Sequence, residues 1–163
     1  MTESIPPAPS GDGPQTIQFS IEKIYIKDLS LENPGSPQSF QQNETPQVEV
    51  GLRTRGEQVD KDVYEVVLTL TVTARAGDKT VFLVEVSQAG VFGIRGIAPD
   101  QAQPIIAVHC PTVLFPYARE AVADCTMRAG FPPVQLAPIN FEVLYQQQLS
   151  QLQAQPAAAA VAN

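Results

Sequence analysis

The clearest structural signal in the chain is the alternation in residues 64–74, which read YEVVLTLTVTA. Every even position of this stretch is apolar, while the odd positions are mostly threonine or glutamate. Because successive side chains of a β-strand point to opposite faces of the sheet, the pattern predicts a strand with one buried and one solvated face. The same alternation returns at Phe82, Val84 and Val86 after a turn predicted at residues 76–79 (AGDK).

Two further strands complete the predicted sheet. Residues 48–53 (VEVGLR) alternate in the same way, with Glu49 and Arg53 facing opposite to the valines. A first strand, Ile17 to Glu32, begins with apolar odd positions and changes to apolar even positions from Ile24, which predicts a bulge or bend. None of the 15 prolines lies between Gln47 and Ala98. Since proline interrupts the strand ladder, this block is predicted to form the antiparallel sheet core.

Two helices are predicted in the C-terminal third. Pro116 suits the first position of a helix, and Gly130, followed by Phe131-Pro132-Pro133, should end it. Asn140 is a plausible N-cap for the second helix, whose apolar stripe runs from Phe141 to Leu152. The first helix carries a stripe of small apolar side chains, which favours close contact with another helix or subunit. The residues of this stripe are Ala118, Ala121, Val122 and Cys125.

We therefore expect an α+β domain over residues 17–152, with a four-stranded antiparallel sheet and two C-terminal helices packed on one face. Residues 1–16 contain four prolines and are predicted to be a disordered tail. Residues 153–163 are rich in alanine and are predicted to be flexible.

Composition argues against several classes of function. The 163 residues carry a formal charge of −7, and their ten Lys and Arg are spread thinly. Nucleic acids and anionic membranes require clustered cations, so neither is an expected partner. No apolar run reaches the roughly 20 residues of a membrane-spanning helix, and the N-terminus does not resemble a secretory signal. We expect a cytoplasmic protein that does not insert into the membrane.

Enzymatic chemistry has one weak candidate. His109 adjoins Cys110, which suggests a thiol hydrolase as the enzyme alternative. Adjacent side chains on a helix point about 100° apart, so a hydrogen-bonded nucleophile and base are not expected. Two packing residues before Pro111 are the favoured interpretation. The two cysteines also cannot supply the ligand set of a structural zinc site, and we expect no metal or other cofactor.

The solvated face of the predicted sheet holds a candidate docking patch. Asp28 and Glu32 are four residues apart on one strand, so they share a face at about 13 Å. Leu83 and Glu85 have the solvated parity of the last strand. These four residues are either an acidic docking site or an ordinary solvated face with one exposed leucine.

Apolar residues in the predicted loops form the second candidate site. They either cap the core or line a groove for a hydrophobic ligand or an extended peptide. The residues are Phe40, Phe92, Phe131, Val134, Leu136 and Ile139.

Four stretches resemble the bacterial export chaperone family SecB. They are residues 25–32 (YIKDLSLE), 62–68 (DVYEVVL), 110–120 (CPTVLFPYARE) and 136–141 (LAPINF). The resemblance implies a sheet-and-helix subunit that forms dimers by strand pairing. It also implies that helices between two dimers complete a homotetramer, a dimer of dimers.

The resemblance further implies a holdase that works without ATP. Such a protein keeps unfolded preproteins in hydrophobic grooves and passes them to the motor ATPase SecA. In the family, an acidic sheet face receives a basic zinc-binding tail of SecA, and Asp28, Glu32, Leu83 and Glu85 occupy the matching positions. The alternative function is a carrier that holds small hydrophobic ligands between sheet and helices.

Overall fold

The computed structural model describes residues 16–154. An antiparallel sheet with strand order β1-β4-β3-β2 is covered on its inner face by helical segments. The strands and helices are β1 (Gln18–Glu32), β2 (Gln47–Asp60), β3 (Val63–Ala76), β4 (Lys79–Arg95), α1 (Cys110–Arg128) and α2 (Phe141–Ala154). The predicted α+β fold is therefore confirmed. The two predicted tails lie outside the described residues, except for Thr16 and for residues 153–154, which end α2.

Tight turns set the register of the central strands. The β3–β4 turn uses Gly77 at φ 57°, and the β2–β3 turn uses Asp62 at φ 58°. Both residue types tolerate this left-handed backbone, and two-residue loops of this kind suit a twisted hairpin. Irregularities between Ile21 and Lys23 and between Ile26 and Asp28 confirm the bulge predicted in β1.

The core lies between the inner face of the sheet and α1. The even positions from Tyr64 to Ala74 are buried as predicted, and Val66, Leu68, Leu70 and Val72 are fully enclosed. Leu114 of α1 is also fully enclosed and belongs to the same apolar cluster.

The small-residue stripe on α1 faces this core, which corrects one expectation. Ala118, Ala121, Val122 and Cys125 were expected to contact another subunit, but all four are buried within a single chain. The reason is that α1 packs against β3 and β4, and small side chains let the helix approach its own sheet closely.

Strand β4 is longer than predicted, which corrects the placement of Phe92. The segment Ala89-Gly90-Val91-Phe92 was expected to be a loop, but β4 continues through it to Arg95. Gly90 serves close packing there, because a Cβ atom would lie 2.7 Å from the Phe92 ring and 3.1 Å from Leu114. Phe92 itself is completely buried.

Helix α1 begins six residues before the predicted start. A π-helical turn, Ile105–His109, leads into it, Pro111 lies in its first turn, and Pro116 is inside the helix. Proline lacks a backbone N–H, so neither Pro111 nor Pro116 can donate to a carbonyl of the preceding helical turn. The predicted end is confirmed, since Gly130 follows α1 with φ 88°.

The predicted N-cap of α2 is also confirmed. The backbone N–H of Val143 donates to Oδ1 of Asn140 at 3.1 Å. The Phe141 ring packs edge-on against Phe115 of α1, with ring centroids 6.1 Å apart. Much of the rest of α2 is exposed, including Val143, Leu144 and Leu152.

Candidate functional site

The outer face of the sheet brings together all four residues of the predicted acidic patch. Strand register places side chains from β1, β4 and β3 in three neighbouring rows across this face. The rows are Glu32–Leu83–Thr73, Ser30–Glu85–Thr71 and Asp28–Ser87–Thr69. Asp28 and Glu32 are exposed, whereas Leu83 and Glu85 are half-buried. We refer to Asp28, Glu32, Leu83 and Glu85 as the acidic patch.

Threonines of β3 form the floor beside the acidic patch. Thr71 Oγ1 donates to Glu85 Oε2 at 3.0 Å, which holds this carboxylate against the sheet. Leu83 lies between Glu32 and Thr73, so an apolar group borders the carboxylates. The arrangement can pair with cationic side chains while it buries an apolar part of the same ligand.

A charged cluster that sequence reasoning missed lies farther along the outer face. Lys27 Nζ donates to both carboxylate oxygens of Glu65 at 2.7 and 2.8 Å, and the Tyr25 hydroxyl donates to the same carboxylate. The hydrogen bonds from Lys27 and Tyr25 lower the pKa of Glu65. The bond to Glu65 is also the main reason that the pKa of Tyr25 rises to about 12. Only the pairing of distant strands brings these side chains together.

Phe40, Phe82 and Phe131 form an aromatic cluster at the C-terminal end of α1. The Phe131 ring lies 5.1 Å from that of Phe40 and 5.0 Å from that of Phe82. Asn33 Nδ2 donates to the carbonyl oxygen of Ala129 at 3.1 Å, which ties the segment after β1 to the end of the helix. Phe40 is 49% exposed, so the cluster presents an aromatic surface.

The remaining predicted groove residues do not form one open surface with Phe40 and Phe131. Phe92 is enclosed and stacks on Phe19 at 5.6 Å, so its assignment to an open groove is wrong. Leu136 is buried, and Val134 and Ile139 are half-buried against the core.

An open concavity of about 650 Å³ lies between β2, the π-helical turn and α2. Its apolar lining includes Leu52, Ile106, Phe141, Leu144, Leu149 and Leu152. We call this concavity the α2 groove. The apolar stripe of α2 was recognisable in the sequence, but the opposing wall on β2 was not, because it comes from a distant strand.

The Cys110 and His109 side chains do not form a reactive pair. Burial raises the pKa of the Cys110 thiol to about 12, which keeps the sulfur protonated at neutral pH. His109 is exposed, and its ring meets Phe19 edge-on at 4.7 Å. Both side chains act in packing, as the favoured interpretation held.

Residues 16–154 contain no cluster of three potential metal ligands among His, Cys, Asp and Glu. Within the same range, no helix has the length and hydropathy needed to cross a membrane.

The described part of the chain is an α+β protein that presents a charged sheet face, an aromatic cluster and an open apolar groove. The family model described as "Preprotein translocase subunit SecB" matches residues 12–152. The chain therefore belongs to the SecB family.

Close relatives agree with this assignment. The "Protein-export protein SecB" of Azoarcus sp. is 60% identical over 131 residues, which cover 80% of this chain and 87% of that protein. The protein of the same name from Dechloromonas aromatica is 56% identical over 85% of this chain and 91% of its own length.

A solved structure shows the same fold. The SecB-like chaperone of Mycobacterium tuberculosis, in complex with a ChAD peptide from an antitoxin, superposes with a TM-score of 0.64. It is 16% identical and covers 75% of this chain and 91% of that chain, so the likeness concerns the fold.

Proposed function

We propose that this chain is an ATP-independent chaperone that keeps unfolded preproteins competent for export and passes them to SecA. The observation that carries the proposal is the family match over residues 12–152, together with 56–60% identity to protein-export proteins. The proposed role implies the cytoplasm, where preproteins are held before they cross the membrane.

Client capture is assigned to two apolar surfaces. The first is the aromatic cluster, in which Phe40 is exposed and Phe131 is half-buried. The second is the α2 groove. Apolar segments of a client gain roughly 25 cal/mol for each Å² of apolar surface they bury. Ordering of the client offsets much of this gain, so each site should be weak and several linked sites should give useful affinity.

Delivery is assigned to the acidic patch. A basic tail of SecA would pair with Asp28, Glu32 and Glu85 and would cover Leu83. Charge pairing supplies specificity and a fast encounter, while burial of the leucine adds affinity. The patch lies on the outer face of the sheet, opposite to α1, so delivery need not compete with packing of the core.

We also propose a homotetramer formed as a dimer of dimers. Strand β1 is an edge strand with exposed apolar side chains at Ile21, Ile26, Leu29 and Leu31. An exposed edge of this kind is a template for pairing with another strand. On α1, the exposed Tyr117 and Met127 replace the buried stripe as the proposed contact between dimers.

Client capture can be tested by light scattering with a slow-folding, chemically denatured protein diluted into buffer without nucleotide. The wild-type chain should suppress aggregation. The combined change Phe40→Ser, Leu144→Ser and Leu149→Ser should weaken suppression several-fold because it removes apolar area from both surfaces. The matched control is Val59→Ser, which removes an exposed apolar side chain from the end of β2.

Two results would contradict this part of the proposal. Wild-type suppression by the triple variant would place client binding elsewhere. Failure of the wild-type chain to suppress aggregation, together with saturable binding of a fatty acid, would favour the small-ligand carrier.

Delivery can be tested with Asp28→Lys, titrated separately against full-length SecA and against the denatured client. SecA affinity should fall at least tenfold because one carboxylate is replaced by a repelling cation, whereas client binding should stay unchanged. Unchanged SecA affinity would show that the acidic patch is an ordinary solvated sheet face.

A further inference from the structure

Positive charge lies on the same outer face as the acidic patch. Arg53 projects from β2 in the row Asp28–Ser87–Thr69–Arg53, which crosses all four strands. Three strand spacings separate the ends of this row, so the backbones of Asp28 and Arg53 lie about 14 Å apart. Arg55 lies two residues farther along β2 and shares the face of Arg53.

A trench of about 510 Å³ separates the two ends of this row. Lys27 and Asp28 line one side, and Arg53 and Arg55 line the other. The floor between them consists of shorter side chains: Val67, Thr69 and Ser87. Thr69 and Ser87 share a hydrogen bond of 3.1 Å between their hydroxyl oxygens, which occupies these two groups with each other.

The charges along the trench are unequally neutralised. Lys27 is paired with Glu65 at 2.7 Å, and Arg55 is paired with Glu57 at 3.2 Å. Within residues 16–154, neither Asp28 nor Arg53 takes part in an ion pair. The trench therefore presents one free anion and one free cation on opposite sides.

We propose that Arg53, assisted by Arg55, binds a carboxylate of the same SecA tail whose cations pair with the acidic patch. This inference rests on the proposed delivery function and specifies the chemistry of the tail, which must carry an acidic side chain or a chain terminus beside its basic residues. The guanidinium group of arginine donates two parallel hydrogen bonds to a carboxylate, so it selects this group by shape as well as charge. A tail bearing only cations would be repelled by the two arginines when it entered the trench.

The direction in which one substitution changes the affinity for SecA distinguishes these two kinds of tail. Arg53→Gln removes a cation from an exposed position of an edge strand. If a carboxylate binds Arg53, affinity for full-length SecA should fall roughly threefold to tenfold, as expected for loss of one charged pair at an interface. If the tail carries cations alone, the same substitution relieves repulsion and SecA should bind more tightly.

The matched control is Arg128→Gln. It makes the same change in net charge, but Arg128 is an exposed residue at the end of α1 that pairs with Asp124. This variant should bind SecA with wild-type affinity. A second variant, Arg53→Lys, keeps the charge and loses the fork of donors, so its affinity should fall between those of wild type and Arg53→Gln. The thermal unfolding midpoint and the circular dichroism spectrum, measured on each variant, confirm that the fold is retained.

The outcomes distinguish this inference from the delivery function. If Asp28→Lys loses SecA binding while Arg53→Gln binds normally or more tightly, the acidic patch stands and the carboxylate contact is overturned. If Asp28→Lys binds SecA normally, the delivery site itself is overturned, and this inference with it. Weaker binding of both variants, with an unchanged Arg128→Gln control, supports the inference.

Discussion

At position 90, the absence of a side chain allows α1 to lie against the sheet. A Cβ atom there would approach the Phe92 ring to 2.7 Å and Leu114 to 3.1 Å. Gly90→Ala should therefore lower the free energy of unfolding by about 1–3 kcal/mol, since neither neighbour has free space to move into.

Urea denaturation measures this effect, and Gly51→Ala is the matched control. A Cβ atom at Gly51, in β2, would make only ordinary contact with Thr71 at 3.7 Å. The control should change stability by less than about 0.5 kcal/mol, as surface substitutions usually do. Equal effects of the two alanines would mean that crowding at Gly90 has no energetic cost.

The pairing of Glu65 with Lys27 and Tyr25 gives a pH dependence of known sign. The pKa of Glu65 is lowered in the folded chain, first by Lys27 and then by Tyr25. Its contribution to stability is therefore complete above the unfolded value of about 4.3 and is lost as pH falls through the lower folded value. Tyr25 has the opposite sign: its raised pKa, about 12, gives a contribution that is lost as pH rises through that value.

Substitution of the two donors should separate their effects on Glu65. Lys27→Met should raise the pKa of Glu65 more than Tyr25→Phe does, because the Lys27 hydrogen bond is the largest cause of the shift. NMR titration of the Glu65 side-chain carboxyl carbon measures both changes. An unaltered pKa in Lys27→Met would show that the ion pair does not persist in solution.

Among the structural elements, the segment after α1 is joined to the helix at Val134 by the buried hydroxyl of Thr126. Thr126 Oγ1 accepts the backbone N–H of Val134 at 3.0 Å and lies 3.1 Å from the carbonyl oxygen of Val122, to which it can donate. Thr126→Val should lower the free energy of unfolding by about 1–3 kcal/mol, because it leaves the N–H of Val134 without this partner.

Thr112→Val on the same helix is the control for this prediction. Thr112 is exposed, and its hydroxyl donates only to the carbonyl oxygen of Val108, at 2.6 Å. Its replacement should cost less than about 0.5 kcal/mol. If chemical denaturation gives the same midpoint for both valine variants, the hydroxyl of Thr126 does not hold the segment in place.

For the whole molecule, the burial of the α1 stripe separates subunit stability from assembly. Ala121 is 7% exposed, whereas Tyr117 on the same helix is 51% exposed. Ala121→Arg would force an unpaired cation into the core and should destabilise the subunit itself. Tyr117→Arg should leave the subunit folded and divide the proposed tetramer into dimers.

Light scattering and circular dichroism together measure this difference. The wild-type assembly should have four times the chain mass of 17.6 kDa, about 70 kDa. Tyr117→Arg should halve that mass with an unchanged spectrum. A tetrameric Tyr117→Arg variant would place the contact between dimers elsewhere, and a wild-type monomer would overturn the proposed assembly.

Features that depend on local periodicity were predictable from the amino-acid order. The alternation at 64–74 predicts which face of β3 is buried, and the parity of β4 assigns Leu83 and Glu85 to the face opposite to Val84 and Val86. Asp28 and Glu32 join that outer face because the bulge between Ile26 and Asp28 shifts the phase of β1. Asn140 and Gly130 mark helix ends because capping and a positive φ are properties of a few neighbouring residues.

Features that depend on which segments meet required the tertiary structure. A stripe of small side chains indicates close packing but not the partner, and only the position of α1 across the sheet shows that Ala121 and its neighbours face their own chain. Gly90 resembles a strand breaker in sequence, whereas in the fold it makes room for a distant Leu114. The contacts of Glu65 and the opposite wall of the α2 groove likewise come from strands far away in sequence. Periodicity repeats within one segment and is visible in its sequence. A contact between distant segments depends on the tertiary fold, which brings those segments together.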